Sequence, residues 1–267
     1  MQLIYTIPLF LLFVLILTPC LTVGLAGVWL VRRYDWMLDP EDNDTAALAH
    51  AFVGVLYAVA LGLMVVGVQS DYTEVEMVVM KEAYLAGDLY IDSEGLSGQD
   101  GSDIQELTKR YVDAVIQQEW PTVASGNLVA QETQSIIDEL SHRIIDYKPD
   151  SDRELVVYAE MLSGVNDLLN QRRERLHLGS DGVGVVTWMV VTMGAVITIG
   201  MAWFYNTRGT YAHYGLVASM SFMFGLMIFL IVAMDHPLWG RFSVSSAPFE
   251  EVQRNIGEWE KQFGKKP

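Results

Sequence analysis

Two polar side chains with chemical potential lie in an apolar stretch near the start of the chain. His50 and Tyr57 fall within residues 46–69, a segment without Asp, Glu, Lys or Arg, and Gly54 shares their helical stripe. Imidazole and hydroxyl groups on an apolar helix can solvate an ion, so these residues are candidates to line a pore. The alternative is structural, with His50 at the membrane interface and Tyr57 hydrogen-bonded to a neighbouring helix.

Small residues at four-residue spacing mark another face of the same stretch. Gly54, Ala58 and Gly62 form a small-xxx-small pattern, which lets a second helix approach closely. We predict that this face packs tightly, either within the protomer or between protomers of a homo-oligomer. A pore-lining role for the three residues is the alternative.

Three arginines stand out in an acidic part of the chain. Arg172, Arg173 and Arg175 shortly precede the third apolar block. They could attract anions near a membrane entrance. The alternative is that they form salt bridges with acidic residues and snorkel at the bilayer edge.

Trp120 and Asp235 are further candidate interface residues. Trp120, before Pro121, could join an aromatic belt at the outer interface or staple the soluble helices together. Asp235 and His236 could form a pH-sensitive contact, because histidine titrates near neutrality. Their position before Pro237 equally suits the end of a helix.

The sequence lacks the motifs of common enzymes and metal sites. The five histidines show no metal-ligand spacing, and Cys20, the single cysteine, cannot form an intramolecular disulfide. The acidic run at 39–44 lacks the glycine and the closing glutamate of a calcium loop. Nucleophile elbows, phosphate loops and zincin pairs are absent. We expect no enzyme, no cofactor and no metal, and the net charge of −16 argues against nucleic acid as a partner.

The elements that must position these residues are four apolar blocks, each long enough to cross a bilayer as a helix. They run over about 8–31, 46–69, 183–205 and 214–234. The second continues its helical spacing through Val75, Val78, Glu82, Leu85 and Leu89, so it should leave the membrane and form one wall of a soluble domain. Asn43 or Asp44 is expected to cap this helix.

Residues 70–182 form an acidic extramembrane insert, with 23 Asp and Glu against 9 Lys and Arg, a net charge of −14. Capping-box patterns at Ser102 and Ser151 predict helix starts. One helix should end near Glu119-Trp120-Pro121, and another should span Val129 to Tyr147.

The fold class predicted is therefore all-α, a polytopic membrane protein with four spans and a four-helix extramembrane unit between the second and third. The expected parts are the first two spans (1–69), the insert (70–182), the membrane hairpin (183–234) and a polar tail (235–267) with a short helix near 249–263.

Positive charges near the spans predict the orientation. Arg32, Arg33 and Arg208 lie in the two short loops, which should face the cytoplasm. The insert would then face the periplasm or the cell exterior. The three arginines before the third block and Arg241 after the fourth oppose this assignment.

Several motifs occur in order along nearly the whole chain. They are Asn43, Gly54-Val55-Leu56-Tyr57-Ala58-Val59, Tyr111, Glu119-Trp120-Pro121, Tyr158-Ala159-Glu160, Arg172 to Leu176, Asp235-x-Pro237-x-x-Gly240, Val244 and Pro248-Phe249. On these residues the chain resembles a large bacterial family of membrane proteins described as bestrophin-like.

The resemblance implies four membrane helices with a helical insert, in the bacterial inner membrane. It also implies a homo-oligomeric anion channel whose partners are the lipid bilayer and further copies of the chain. The sequence departs from true bestrophins, because the tail has no dense acidic calcium-binding cluster and no span has an obvious aromatic neck motif. The alternative function is a non-conducting scaffold or accessory subunit that binds other membrane proteins through its insert.

Overall fold

The computed structural model describes residues 7–127, 131–179, 181–240 and 242–263, and their regular structure is entirely helical. The predicted all-α class is confirmed. The helices are α1 (Leu9–Arg33), α2 (Asn43–Asp92), α3 (Gln99–Ala114), α4 (Trp120–Ala124), α5 (Gln131–Ile145), α6 (Asp152–Leu178), α7 (Val185–Trp203), α8 (Thr210–Met234) and α9 (Ala247–Phe263). Short 3-10 turns at Pro40–Asp42 and Ser93–Gly95 precede α2 and α3, and a π-helical turn at Val115–Glu119 joins α3 to α4.

Within the described residues, four helices are long and apolar enough to cross a membrane: α1, α2, α7 and α8. With 50 residues, α2 is about 75 Å long at 1.5 Å per residue. That length is more than twice the roughly 30 Å hydrocarbon core of a bilayer. Only the apolar first part of α2 can lie in the membrane, and the helix continues beyond it, as the sequence predicted.

The chain divides into two compact units, and α2 contributes to both. The membrane unit contains the described chain up to Ser70 and residues Gly182–His236. The helical unit contains Asp71–Asp181 and the chain from Pro237 onward.

Glycines on α1 allow close helix contacts in the membrane unit. A Cβ atom on Gly24 would overlap the Ser221 side chain of α8, and one on Gly27 would overlap the Trp203 indole of α7. Lipid provides no hydrophobic drive between helices, so close van der Waals contact of this kind holds membrane helices together. The tight packing that the sequence suggested for α2 is therefore found on α1.

The two predicted capping boxes in the helical unit have different outcomes. Ser151 caps α6, since its hydroxyl accepts a hydrogen bond from the Glu154 amide at 3.2 Å. The predicted start at Ser102 is wrong, because α3 already begins at Gln99, after Gly98 with φ +77°. Gly101, in the first turn of α3, lies so close to the Ser93 carbonyl that a Cβ atom there would overlap it.

The predicted helix end near Glu119-Trp120-Pro121 is also wrong. The chain continues through the π-helical turn directly into α4. Pro121 lies in the first turn of α4, directly after the π-helical turn, and the helix continues past it to Ala124. Val129, the predicted start of the following helix, lies outside the described residues, and α5 is described from Gln131.

The tail belongs to the core of the helical unit. Phe249, Val252 and Ile256 of α9 are fully buried in that core, and Trp259 stacks on Tyr90 of α2 at 5.9 Å between ring centroids. The amphipathic pattern of α9 explains this docking, because its apolar side chains recur at helical spacing.

Candidate functional site

His50 and Tyr57 lie on the face of α2 that packs against the other helices of the membrane unit. The Tyr57 hydroxyl donates a hydrogen bond to the Val191 carbonyl at 2.8 Å, and its ring fits against Gly194 of α7. His50 Nδ1 lies 3.1 Å from the Tyr205 hydroxyl, and the two rings stack. The polar groups of both residues thus have partners within the protomer, and a pore-lining role for them stays an untested prediction.

The small residues of α2 are not packed within the protomer. Ala58 and Gly62 are exposed and Gly54 is half-buried. Among the described residues, no atom lies within 4 Å of a Cβ built on Gly54 or Gly62. Packing inside the protomer, one of the predicted alternatives, is therefore wrong, whereas a contact between protomers and a pore-lining role stay untested predictions.

A continuous line of exposed residues runs along α2, which we call the α2 stripe. Its members recur every three or four residues, close to the 3.6-residue helical repeat, so they share one side of the helix. They are Leu48, Phe52, Val55, Val59, Leu63, Val66, Ser70, Thr73, Met77, Met80, Tyr84, Asp88 and Ile91.

The second half of the α2 stripe is unusual for a surface outside the membrane. Met77, Met80, Tyr84 and Ile91 are 39–48% exposed, although they belong to the helical unit. Lipid explains exposed apolar side chains in the membrane half, but not here. A contiguous exposed apolar surface on a water-facing helix is typical of a binding interface.

Two different flanks border the membrane half of the α2 stripe. At about 100° per residue, Gly54, Ala58 and Gly62 lie on one side of it. Leu56 and Ala60, both exposed, lie on the other side. A neighbouring helix could approach closely on the small-residue flank.

The helical unit contains a buried network of four charged side chains. Arg175 donates from Nε to Glu82 Oε2 at 2.6 Å and from Nη2 to Glu119 Oε1 at 2.5 Å. Arg172 donates from Nη2 to Glu119 Oε2 at 2.6 Å. All four side chains are at most 4% exposed, so the two guanidinium groups neutralise the two carboxylates in the interior.

Neutral groups complete this network. The Tyr111 hydroxyl donates to Glu82 at 2.5 Å, and Arg172 also donates to the Gln134 side chain of α5 at 2.6 Å. The Arg175 guanidinium lies 5.2 Å from the centre of the Trp120 ring, a cation–π contact. Trp120 itself donates to the Val244 carbonyl at 3.2 Å.

The candidate interface residues therefore have defined places. Arg172, Arg175 and Trp120 take part in contacts inside the helical unit, whereas Arg173 is exposed. Their proposed action on anions stays an untested prediction. Asp235, at the end of α8, accepts a hydrogen bond from the Val183 amide at 2.5 Å, which ties the two ends of the membrane hairpin together.

The electrostatics of the buried network favour its charged form. Burial acts to raise the pKa of Glu119, but Arg175 and Arg172 outweigh it, and the pKa lies below the usual value. Burial, followed by the charge of Glu82, holds the pKa of Tyr111 well above its usual value, so this phenol stays protonated and donates.

Sequence reasoning singled out Glu119 but missed its partner Glu82. The signal was present, because Glu82 falls at an apolar position between Val78 and Leu85 in the helical spacing of α2. A carboxylate at such a position must be buried with a cation, or its charge would be lost. Gly24 and Gly27 were missed because glycine spacing alone does not reveal which helix is approached.

The fold and these contacts define an all-helical membrane protein with four spans and a helical insert. Several solved structures share this fold, and the three described here are crystal structures of single-residue variants. One, described as a membrane protein, has a TM-score of 0.66 and 14% identity, over 89% of this chain and 96% of its own. Two bestrophin homologues from Klebsiella pneumoniae have TM-scores of 0.63 and 0.62, at 13% and 12% identity. They match 92% and 95% of this chain, and 98% and 99% of their own.

The Bestrophin-like domain matches residues 19–249. The chain belongs to this family, which confirms the resemblance found in the sequence. No curated protein sequence shows detectable similarity to it.

We predict that Arg175→Met destabilises the protein by about 3–5 kcal/mol, because it leaves two buried carboxylates with a single cation. Thermal unfolding of the full chain in detergent measures the effect. Arg173→Met is the matched control, since Arg173 is exposed and, among the described residues, its hydrogen bond goes to the Leu169 carbonyl of its own helix. Equal losses in both variants would contradict a special role for the network.

The same measurement at acid pH tests the electrostatics. Because the folded pKa of Glu119 is lowered, its stabilisation is present above about pH 4.5 and is lost as the pH falls through the folded value. We expect the unfolding temperature of the wild type to fall over this window more steeply than that of Arg175→Met.

Proposed function

We propose that this protein is a homo-oligomeric ion channel of the bestrophin-like type in the bacterial inner membrane, rather than an enzyme. The observation that carries the proposal is the α2 stripe. It is exposed in the membrane half, and it remains exposed and largely apolar in the half that belongs to the helical unit. One partner that extends in and out of the membrane could cover it, and another copy of α2 has that length.

The two flanks of α2 favour a closed ring of subunits. The small-residue flank with Gly54, Ala58 and Gly62 differs from the flank with Leu56 and Ala60. Unlike flanks of neighbouring copies can meet head to tail, and such heterologous contacts generate cyclic oligomers when the rotation closes. The α2 stripes would then face a common axis. Four spans without a charge enclose little aqueous space alone, so a ring also supplies the path.

The chemistry of the α2 stripe bears on conduction. Val55, Val59, Leu63 and Val66 would form an apolar constriction, which can gate a channel by excluding water. The family resemblance implies an anion as the permeant ion. The net charge of −14 over residues 70–182 acts in the opposite direction, because an acidic mouth concentrates cations. Reversal potentials in a KCl gradient distinguish the two.

For the orientation, we propose that the end of α1 with Arg32 and Arg33 and the α7–α8 loop with Arg208 face the cytoplasm, and that the helical unit faces the periplasm. The distribution of positive charge supports this assignment.

A non-conducting scaffold or accessory subunit is the alternative function, and the family membership does not favour it.

Assembly is the first test. We expect the wild type to run as a homo-oligomer in size-exclusion chromatography with light scattering. Gly54→Leu and Ala58→Leu should weaken it, since overpacking costs about 1–3 kcal/mol per site. Gly215→Leu is the control, because Gly215 on α8 also has open space around it among the described residues. A monomeric wild type would contradict the proposed ring of subunits. An oligomer insensitive to both α2 changes would place the contact elsewhere.

Conduction is the second test. We expect Val59→Ser to raise single-channel conductance in planar bilayers several-fold, because a hydroxyl eases wetting of an apolar constriction. Val190→Ser on α7 is the matched control, as the two valines are 58% and 56% exposed. Equal conductance changes in both variants would contradict a path along the α2 stripe, and absence of current from purified oligomers would support the scaffold.

Orientation is the third test, made with single cysteines in a Cys20→Ser background. Lys148→Cys lies in the exposed α5–α6 connection and should react with an impermeant maleimide on intact spheroplasts. Glu41→Cys lies in the exposed α1–α2 connection and should react only after lysis. The reverse pattern would show that the helical unit is cytoplasmic.

A further inference from the structure

The α7–α8 loop, residues 204–209, is held by side chains from other parts of the membrane unit. Arg32, at the end of α1, donates to the Thr207 carbonyl at 3.1 Å, to its hydroxyl at 2.9 Å and to the Thr210 hydroxyl at 3.2 Å. Asn43, which the sequence suggested as a helix cap, instead exchanges two hydrogen bonds with Asn206, at 2.8 and 3.1 Å. The loop therefore joins the end of α1 to the start of α2.

Arg32, the arginine that holds the α7–α8 loop, also contacts a buried histidine. His213, on the first turn of α8, is 1% exposed. Its Nε2 lies 2.9 Å from the Ala202 carbonyl, which can only accept, so Nε2 carries a proton. Its Nδ1 lies 3.1 Å from Arg32 Nε, which can only donate, so Nδ1 is bare. The contacts thus require a neutral ring in one tautomer.

We propose that His213 is a proton-sensitive latch that releases the α7–α8 loop when it takes up a proton. A proton on Nδ1 replaces the acceptor with a second N–H donor. The bond from Arg32 is then lost, and two cations face each other over the same distance. Arg32 must move away, and its bonds to Thr207 and Thr210 go with it.

The surroundings of the ring support this inference. Arg32 from α1 is the charged group against His213, and within the part of the chain that the structure describes no carboxylate pairs with the imidazole. Ala202, its other partner on α7, is uncharged. Neither of these two partners can offset the new positive charge on the imidazole, so the repulsion is relieved when the two cations move apart.

His50 provides a contrast within the same network. Its Nδ1 meets the Tyr205 hydroxyl, which can donate to a bare nitrogen or accept from a protonated one. The contact therefore survives protonation in either form. The two histidines differ in the chemistry of the partner, and His50 is also less buried than His213. His50 therefore serves as an internal comparison.

Release of the loop would loosen the start of α2, because Asn206 is bonded to Asn43. This gives acid on the loop side of the membrane a route to the helix that carries the α2 stripe. The consequence for ion flow rests on the proposed channel function, whereas release of the loop does not.

Hydrogen–deuterium exchange of the full chain in nanodiscs tests the latch directly. Peptides covering 204–213 are compared at pH 7.5 and 5.5, after correction for the intrinsic pH dependence of exchange. In the wild type we expect exchange at pH 5.5 to be about tenfold faster or more, as fits the loss of charge-assisted hydrogen bonds. In His213→Gln, exchange of these peptides should stay slow at both pH values, because a glutamine amide can still accept a hydrogen bond from Arg32 and donate one to the Ala202 carbonyl.

Two further variants make the outcome decisive. Arg32→Gln should exchange fast at both pH values, and His50→Gln should keep the wild-type response. A wild type without a pH response, or a His213→Gln variant that keeps it, overturns the latch. Loss of the response in His50→Gln moves the sensor to that residue. Ion flux at the same two pH values then reports on the channel, so failure of conduction and failure of the latch are distinguishable.

Discussion

Two guanidinium groups and two carboxylates, buried together, hold the helical unit in one arrangement. Glu82 comes from α2, Glu119 from the π-helical turn, and Arg172 and Arg175 from α6. Apolar burial is non-directional and would tolerate small slips between helices. Hydrogen-bonded ion pairs are not so tolerant, because a slip leaves a buried charge without its partner. Such a network contributes more to the uniqueness of the arrangement than to its net stability.

The long helix α2 departs from the usual polarity of a water-soluble helix at a few positions of its second half. The charged Glu82 points into the core, where Tyr111 and Arg175 bond to it, while Met80 and Tyr84 face outward. In the membrane half the inward face holds Tyr57, and the outward face is again apolar. One helix side therefore has the same character in both environments. The proposed contact between copies of α2 rests on that consistency.

The sequence predicted what local periodicity encodes. The four apolar blocks, the length of α2 and the cap at Ser151 each follow from patterns within one segment, and they are confirmed. The start of α3 was misplaced, because the helix already begins at Gln99, after the left-handed Gly98, and Ser102 lies inside its first turn. The partners of His50, Asn43 and the buried arginines lie far away in the chain. Helical spacing shows which side of a helix such residues occupy, but not what they meet there.

The π-helical turn at Val115–Glu119 fixes the number of residues between Tyr111 and Glu119. Such a turn is an α-helix with one extra residue, usually kept because it redirects the side chains that follow. Deleting any residue between Tyr111 and Glu119 would restore a regular helix. It would also rotate the Glu119 carboxylate by about 100° around the helix axis, away from Arg175. This segment can therefore tolerate substitutions, whereas an insertion or a deletion would break the contact between Glu119 and Arg175. Relatives that keep the ion network should therefore keep the separation of these two residues, even where the amino acids between them differ.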